Sequence, residues 1–179
     1  INTGCATLWK LSEELCKEIP TKKSRDVVFT LTDYAKDEVR DQKLIDILVK
    51  NYDKVYFWIQ GADDLEYFKT FSNIKNIKIV SPDIKEYSNI LNGDIDFVGT
   101  RLHAGIYSMQ HKKRTIIIIV DYRAREMNKT YNLNCLERDE IDLLEAKINS
   151  EFETKVKINT ENINTWLNQF EEYRVKYEK

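Results

Sequence analysis

Thr115-Ile-Ile-Ile-Ile-Val120 is the stretch of this chain that decides its fold. Four consecutive isoleucines leave no polar side, so the segment predicts a strand that is covered by protein on both faces. Strands of this kind belong to parallel sheets, whose crossover helices lie above and below them. The segment therefore predicts an α/β fold, and it ends at Asp121-Tyr122-Arg123.

Shorter apolar segments alternate with amphipathic helical patterns along the rest of the chain, which is typical of parallel strands joined by crossover helices. Strands are predicted at 27–32, 55–59, 77–80, 97–98, 115–120 and 135–136. Helices are predicted at 41–52, from 63 or 64, and at 84–91, 102–110 and 141–148. The fold class is therefore a mostly parallel sheet with helices on both faces. A long terminal helix, capped by Thr160, is predicted from apolar residues at helical spacing, namely Ile163, Trp166, Leu167, Phe170 and Tyr173.

Composition excludes several classes of protein. The chain has 28 basic and 30 acidic residues and a net charge of -2, so no overall field attracts nucleic acid. No apolar stretch is long enough for a transmembrane segment, and no signal peptide opens the chain. Cys5, Cys16 and Cys135 lack metal-ligand spacing and fit reduced thiols, so we expect a cytoplasmic protein without a metal site.

The chain begins at Ile1 in a polar run, which suggests that it is a portion of a longer protein. Residues 1–150 are predicted to form the α/β domain, with 1–25 at a junction with a missing N-terminal domain. Residues 151–179 are predicted to form an extension that ends in the amphipathic helix.

Ligands bind outside the carboxyl ends of the strands in open α/β sheets. At that edge the sequence places Thr32-Asp33, Gln60-Gly61, Ser81, Thr100-Arg101-Leu102-His103 and Asp121-Tyr122-Arg123. The amides at the start of the predicted 102–110 helix suit a phosphate, because their N–H groups lack helical partners. The chain has no Gly-x-Gly-x-x-Gly turn and no Walker sequence, so those two phosphate-binding solutions are excluded.

The segment Asp96-Phe-Val-Gly-Thr-Arg-Leu-His-Ala-Gly-Ile106 holds most of the chemistry. Arg101 can hold a carboxylate or phosphate by two hydrogen bonds, and His103 can titrate near neutrality. Each candidate has a structural alternative. Arg101 could form an ion pair that braces its loop, and Arg123 could pair with Asp121. His103 could be a packed core residue, and Gln60-Gly61 could simply end a strand. His111 and its basic neighbours up to Arg114 are predicted to form a solvated turn on the opposite edge.

The same segment, together with Trp58-Ile-Gln-Gly61, Val120-Asp-Tyr-Arg-Ala124 and Asn2-Thr-Gly-Cys5, resembles the carboxyl-terminal half of polysaccharide pyruvyl transferases. The Gly-x-Arg-Leu-His core is the specific part of the resemblance, which covers most of residues 1–125. It implies a Rossmann-like domain of a two-domain enzyme of the glycosyltransferase B type. The terminal helix would then cross back toward the amino-terminal half.

The resemblance implies transfer of a pyruvyl group from phosphoenolpyruvate to a sugar of a cell-surface polysaccharide or its lipid-linked precursor, forming a cyclic ketal. His103 would be the acid/base group, and the substrate-binding candidates are Arg101, Thr100, Gln60, Gly61, Arg123 and Thr32. No cofactor is expected beyond the donor substrate. The partners would be phosphoenolpyruvate, a saccharide or glycolipid acceptor and the missing domain, with peripheral association at the inner face of the membrane left open. A nucleotide-sugar glycosyltransferase and a non-catalytic binding module are the alternatives.

Overall fold

The computed structural model describes the backbone of residues 1–177 and the side chains of residues 1–170. Its six strands are β1 Asp26–Thr30, β2 Lys54–Trp58, β3 Lys78–Val80, β4 Ile95–Gly99, β5 Thr115–Ile119 and β6 Cys135–Glu137. They form one sheet in the order β3-β2-β1-β4-β5-β6, and every neighbouring pair is parallel. This confirms the predicted α/β class, and the strand order is that of a Rossmann-like sheet.

The helices are α1 Glu13–Lys17, α2 Glu38–Asn51, α3 Ala62–Phe68, α4 Ile84–Ile90, α5 Leu102–Gln110, α6 Tyr122–Tyr131, α7 Leu144–Asn149 and α8 Thr160–Tyr177. Short 3-10 turns cover Ala6–Leu8, Asp33–Ala35 and Arg138–Leu143. The start of the predicted 141–148 helix is thus a 3-10 turn, and α7 begins at Leu144.

The isoleucines of β5 explain why the sheet has two covered faces. All five residues of β5 are buried. Because side chains alternate along a strand, Ile116 and Ile118 pack in one core with the apolar faces of α2, α3 and α7. Ile117 points to the other face and packs in a second core with α4 and α5. The side chains of β5 are therefore buried on both faces of the sheet.

Helix α6 was not predicted from the sequence. Its mean hydropathy is low, Ala124 is its one fully buried residue in the described structure, and Met127 and Tyr131 pack only partly buried against the second core, so its apolar signal is weak. Its ends carry ordinary capping signals. The side chain of Asp121 accepts a hydrogen bond from the backbone of Ala124 at 2.8 Å, and Asn132 ends the helix with a left-handed φ of 55°.

The terminal helix α8 is present, but its predicted cap is wrong. Thr160 is the first helical residue, and the Oδ1 atom of Asn159 accepts the N–H of Asn162 at 2.9 Å. Asn159 therefore caps the helix, because the cap lies one residue before the first helical turn.

The apolar residues of α8 are only partly buried. Ile163 is buried, whereas Trp166, Leu167 and Phe170 are 36–51% exposed. The ring of Trp166 packs against Trp9 near the start of the chain, with 5.2 Å between ring centroids. The side chain of Tyr173, the last apolar residue of the predicted pattern, lies outside the described residues.

The predicted solvated turn before β5 is wrong at its last residue. Arg114 is 1% exposed, and its Nη1 atom donates to the equally buried Asp96 at 2.9 Å. Its other nitrogens donate to the carbonyl oxygens of Thr21, Lys147, Ile148 and Ser150. These carbonyl groups satisfy the hydrogen bonds of the guanidinium without water. Because they come from distant segments, the charge of the neighbouring residues in the sequence could not predict the burial.

Candidate active site

The carboxyl ends of all six strands meet at one edge of the sheet, because the strands are parallel. Strand β1 has β2 on one side and β4 on the other, so the order of the strands reverses between β1 and β4. The loops that follow β1 and β4 are therefore neighbours at the position where α/β sheets bind ligands. The loop after β4 leads into α5 and carries the candidate arginine and histidine.

Two glycines bring these elements close together. A Cβ atom on Gly99 would lie 2.5 Å from the hydroxyl oxygen of Thr30 on β1, and one on Gly105 would lie 2.6 Å from Ile117. Only glycine permits these approaches, so Gly99 sets the distance between the two loops and Gly105 seats α5 on the sheet. The backbone N–H of Arg101 then reaches the Thr30 hydroxyl at 3.2 Å.

Arg101 is engaged with the loops after β1 and β2. Its Nε atom donates to the carbonyl oxygen of Leu31 at 3.0 Å, and its Nη2 atom lies 2.7 Å from Asp33 and 2.5 Å from Asp64. The Asp64 carboxylate is 1% exposed, and the guanidinium lies over the exposed ring of Tyr34. Arg101 thus connects the ends of β1, β2 and β4. This is the bracing ion pair that the sequence offered as the alternative to ligand contact.

Thr32 and Thr100 lie in the protein interior just beneath this edge. Their hydroxyls hydrogen bond to each other at 2.7 Å, and both residues are buried. They join the ends of β1 and β4 and do not expose their side chains to the edge.

His103 is the second residue of α5, and its side chain is exposed. Its Nε2 atom lies 3.8 Å from the Sγ atom of Cys5, which in turn lies 3.0 Å from the hydroxyl of Thr7. Two effects lower the pKa of His103 below its ordinary value. The larger is partial burial of the ring, and the smaller is repulsion by the positive charge of Arg123. The neutral imidazole is therefore favoured at physiological pH.

The positive charge that lowers the pKa of His103 is that of Arg123 on α6. The Arg123 side chain is 59% exposed, and its Nη2 atom lies 3.4 Å from Asp121 and 3.3 Å from the hydroxyl of Tyr34. An exposed pair at this distance is weak and exchanges readily with water or a ligand. Arg123 is therefore freer than Arg101 to contact an anion.

The remaining predicted pair, Gln60-Gly61, lies at the end of β2. Gln60 is exposed, and its backbone N–H donates to Asp64 at 3.1 Å. Its side chain lines a groove with His103, whereas Gly61 precedes α3 and opens onto free space. The edge thus brings Gln60 and His103 to one groove and gathers Arg101 and Arg123 around Tyr34.

Two acidic residues organise this edge through Arg101: sequence reasoning placed Asp33 at the edge without giving it a role, and it missed Asp64. Asp33 follows β1 and Asp64 lies in the first turn of α3, so both positions resemble ordinary helix-start residues. Their shared role with Arg101 depends on three loops that are far apart in the chain, and no local pattern reports it. No group of three or more possible metal ligands occurs within the described part of the chain.

A family model for polysaccharide pyruvyl transferases matches residues 1–122. The chain belongs to this family. The matched region runs from the first residue through β5 and includes Arg101 and His103, and Arg123 lies one residue beyond it. Searches of curated proteins and of solved structures found no significant match.

Family membership implies a transferase that acts on a saccharide acceptor. Nothing in the described helices is both long and apolar enough to cross a membrane. A groove of about 1030 Å³ lies between α1 and residues 153–160 and contains none of the predicted site residues. The predicted site residues therefore lie at the carboxyl edge of the sheet and not in this groove.

Proposed function

We propose that this protein transfers a pyruvyl group from phosphoenolpyruvate to two hydroxyls of one sugar in a cell-surface polysaccharide or its lipid-linked precursor, forming a cyclic ketal. The observation that carries the proposal is the position of His103. Its lowered pKa favours the neutral imidazole, and the residue lies at the start of α5, at the edge where α/β sheets bind ligands, in a chain of the pyruvyl transferase family.

The reaction balances with the two substrates alone. Carbon 3 of phosphoenolpyruvate gains one proton, carbon 2 forms bonds to two sugar oxygens, and the bond from carbon 2 to the phosphate oxygen breaks. The two hydroxyls release two protons, of which one ends on carbon 3 and the other on the departing phosphate. The stoichiometry therefore needs no oxidant and no reductant.

The lowered pKa of His103 favours the neutral form, which a general base for the attacking hydroxyl requires. As a neutral base it accepts the proton of the attacking hydroxyl, and the resulting imidazolium delivers a proton to carbon 3. One group can therefore serve both transfers, and such groups contribute about 10² to 10⁴ in rate. The nearby positive charge of Arg123 destabilises the imidazolium, which makes the proton easier to release.

The anionic donor would lie between the start of α5 and Arg123. The N-cap residue of α5, Arg101, makes no side-chain capping bond, so the first amides of the helix remain available for a phosphate or carboxylate. Arg123 would supply the positive charge, Arg101 would position the loop after β1, and Thr32 and Thr100 would hold both loops. Gln60 and Gly61 would line the acceptor side.

The same proposal includes a second, amino-terminal Rossmann-like domain that completes the cleft, as in the glycosyltransferase B architecture. It also places the protein in the cytoplasm, with peripheral contact to the inner face of the membrane where a lipid-linked acceptor lies. The three cysteines are all free, which supports a reducing compartment.

The experiment is a comparison of His103→Gln with His111→Gln in the full-length protein. His111 is the other histidine, and it lies at the opposite end of α5 with its Nδ1 atom 2.9 Å from the carbonyl oxygen of Tyr107. We expect His103→Gln to lower phosphate release from phosphoenolpyruvate and ketal formation by about 10² or more, and His111→Gln to leave both near wild type.

Thermal melting with phosphoenolpyruvate or with nucleotide sugars completes the test. Protection of the wild type by phosphoenolpyruvate alone supports the proposal, since a ligand at 100 times its Kd stabilises by about 2.7 kcal/mol. Protection by nucleotide sugars alone would instead identify a glycosyltransferase. No response to either ligand would favour a binding module, and wild-type turnover in His103→Gln would remove the imidazole from the mechanism.

A further inference from the structure

A groove without formal charge opens beside His103. It has a volume of about 310 Å³. We call it the neutral groove, and its lining residues are Thr7, Trp58, Gln60, Ile84, His103, Ala104, Ile106, Tyr107 and Gln110. The one titratable group near neutrality among them is the imidazole, whose lowered pKa favours the uncharged form.

The environment on the Tyr34 side is different. There the carboxylates of Asp33, Asp64 and Asp121 meet the guanidinium groups of Arg101 and Arg123. His103 belongs to both environments, because its ring lines the neutral groove while its pKa responds to the charge of Arg123. The imidazole therefore lies at the boundary between a charged region and an uncharged one.

The neutral groove has an apolar wall with a fixed geometry. The indole of Trp58 stacks on Tyr87, with 3.8 Å between ring centroids, and its Nε1 atom donates to the carbonyl oxygen of Ser81 at 3.0 Å. Ile84, the first residue of α4, stands at the rim and is 50% exposed. An apolar wall of this kind contacts the C–H face of a sugar ring without disturbing its hydroxyls.

Polar groups at the rim of the groove can hydrogen bond to a ligand. The side-chain amide of Gln60 has no hydrogen-bond partner among the described residues, and it offers both donors and an acceptor. Thr7 and Gln110 also line the groove, and the side-chain amide of Gln110 donates to the carbonyl oxygen of Thr7. Apolar walls with a few orienting amides and hydroxyls are typical of sites for small neutral ligands.

From these observations we infer that the neutral groove is the acceptor subsite and that it binds an uncharged pyranose ring. The inference rests on the proposed function, and it adds a position for each of the two substrates. The sugar ring packs mainly against Ile84 and reaches only the edge of Trp58, which is 8% exposed, and Gln60 orients the ring so that one hydroxyl reaches Nε2 of His103. The anionic donor then occupies the Arg123 side of the same imidazole.

The charge pattern decides between acceptor and donor. Phosphoenolpyruvate, with its phosphate and carboxylate, would leave water for a groove that has no cation, and burial of unpaired charge is costly. A neutral sugar has no such penalty. The volume lies at the lower end of the usual range for ligand pockets, about 300 to 1,000 Å³, so one or two sugar rings fit.

The test separates the two substrates with matched variants of the full-length protein. Ile84→Trp fills the rim of the neutral groove, and Gln60→Ala removes its free amide. The control is Ile79→Trp on β3, which changes an isoleucine of almost the same exposure, 51% against 50%. Ile79 alternates with the buried Val80, which faces the groove side of the sheet, so the control lies on the opposite face.

Acceptor use is measured on an array of neutral and charged glycans, read by mass spectrometry for the pyruvyl ketal. Donor binding is measured by the phosphoenolpyruvate concentration that gives half-maximal thermal protection. We expect Ile84→Trp and Gln60→Ala to raise the acceptor KM at least tenfold and to leave the donor concentration unchanged. Ile79→Trp should change neither, and the modified sugars should be uncharged before reaction.

Two results would overturn the inference while leaving the proposed function intact. One is an unchanged acceptor KM in Ile84→Trp, and the other is a loss of phosphoenolpyruvate protection in the same variant. If the wild type forms no ketal, the proposed function fails instead. Glycan binding to the same array without phosphoenolpyruvate then decides the inference, because loss of that binding in Ile84→Trp supports a saccharide subsite and retention refutes it.

Discussion

Arg101→Ala should lower the stability of the protein more than it lowers affinity for phosphoenolpyruvate. In the structure the guanidinium contacts two carboxylates and the carbonyl oxygen of Leu31, and its side chain is 19% exposed. Removal of the side chain leaves Asp64, which is 1% exposed, without its charged partner. The loop after β1 also loses its connection to the start of α5.

The expected loss follows from the burial of this pair. Breaking a buried ion pair by removing one partner costs about 3 to 5 kcal/mol. Asp64 keeps two backbone donors, Gln60 at 3.1 Å and Asp33 at 3.3 Å, which places the cost at the lower end. We expect a loss of about 3 kcal/mol, or a fall in Tm of about 6 to 12 °C for a chain of this size.

Urea unfolding followed by circular dichroism measures the loss. Arg125→Ala is the matched control, because Arg125 makes an ion pair with Glu137 whose side chains are 46% and 31% exposed. A surface pair of this kind is worth about 0 to 1 kcal/mol. The variant Asp64→Asn and the double variant with Arg101→Ala then give the coupling between the two residues, for which contacting groups show about 0.5 to 3 kcal/mol.

The opposite pattern would refute this reasoning. If Arg101→Ala changes stability by less than about 1 kcal/mol and weakens phosphoenolpyruvate binding tenfold or more, the guanidinium contacts the donor directly. Arg101 would then be the primary anion-binding residue, as the sequence suggested, and Arg123 would be secondary.

Three further predictions concern separate parts of the molecule. The neutralising variant Arg123→Gln removes a repulsion with the imidazolium, so the pKa of His103 should rise toward its ordinary value, and an NMR titration in which it falls or stays constant would contradict the site geometry. Iodoacetamide at pH 8 should modify Cys5 first, because burial raises the pKa of Cys16 and raises that of Cys135 to about 12, and peptide mass spectrometry after partial reaction gives the order. Arg114→Met should destabilise the fold by about 3 to 5 kcal/mol in urea, because Asp96 stays buried without its partner; a loss below about 1 kcal/mol would show that the interior tolerates the lone carboxylate.

The sheet could be predicted from the sequence because its evidence is local. Each strand is a short apolar run whose length and position set the burial of its own residues, and β5 is the clearest case. The predicted strands all occur, with ends that differ by no more than two residues. Parallel pairing then follows from the helices between them, and with it the common edge that carries the candidate site.

Helix α6 and Arg114 show where local evidence was insufficient. Helix α6 fully buries one small residue, Ala124, and packs Met127 and Tyr131 only partly buried against the core, so its apolar signal is weak and its capping residues mark it most clearly. Arg114 lies in a basic run that suggests solvent, but its partners come from β4, residue 21 and the end of α7. The burial of a guanidinium that binds carbonyl groups of distant segments cannot be predicted from the residues next to it in the sequence.

The spacing between Arg101 and His103 explains why the sequence placed both residues at the right edge and still could not assign their roles. Residues two apart near a helix start differ by about 200° around its axis, so their side chains do not face each other. Arg101 turns toward the loops after β1 and β2, and His103 turns toward Cys5 and the neutral groove. The charge that reaches the imidazole must then come from another element, and α6 supplies it through Arg123. In this motif the two-residue spacing therefore directs the arginine to the bracing ion pairs and the histidine to the neutral groove.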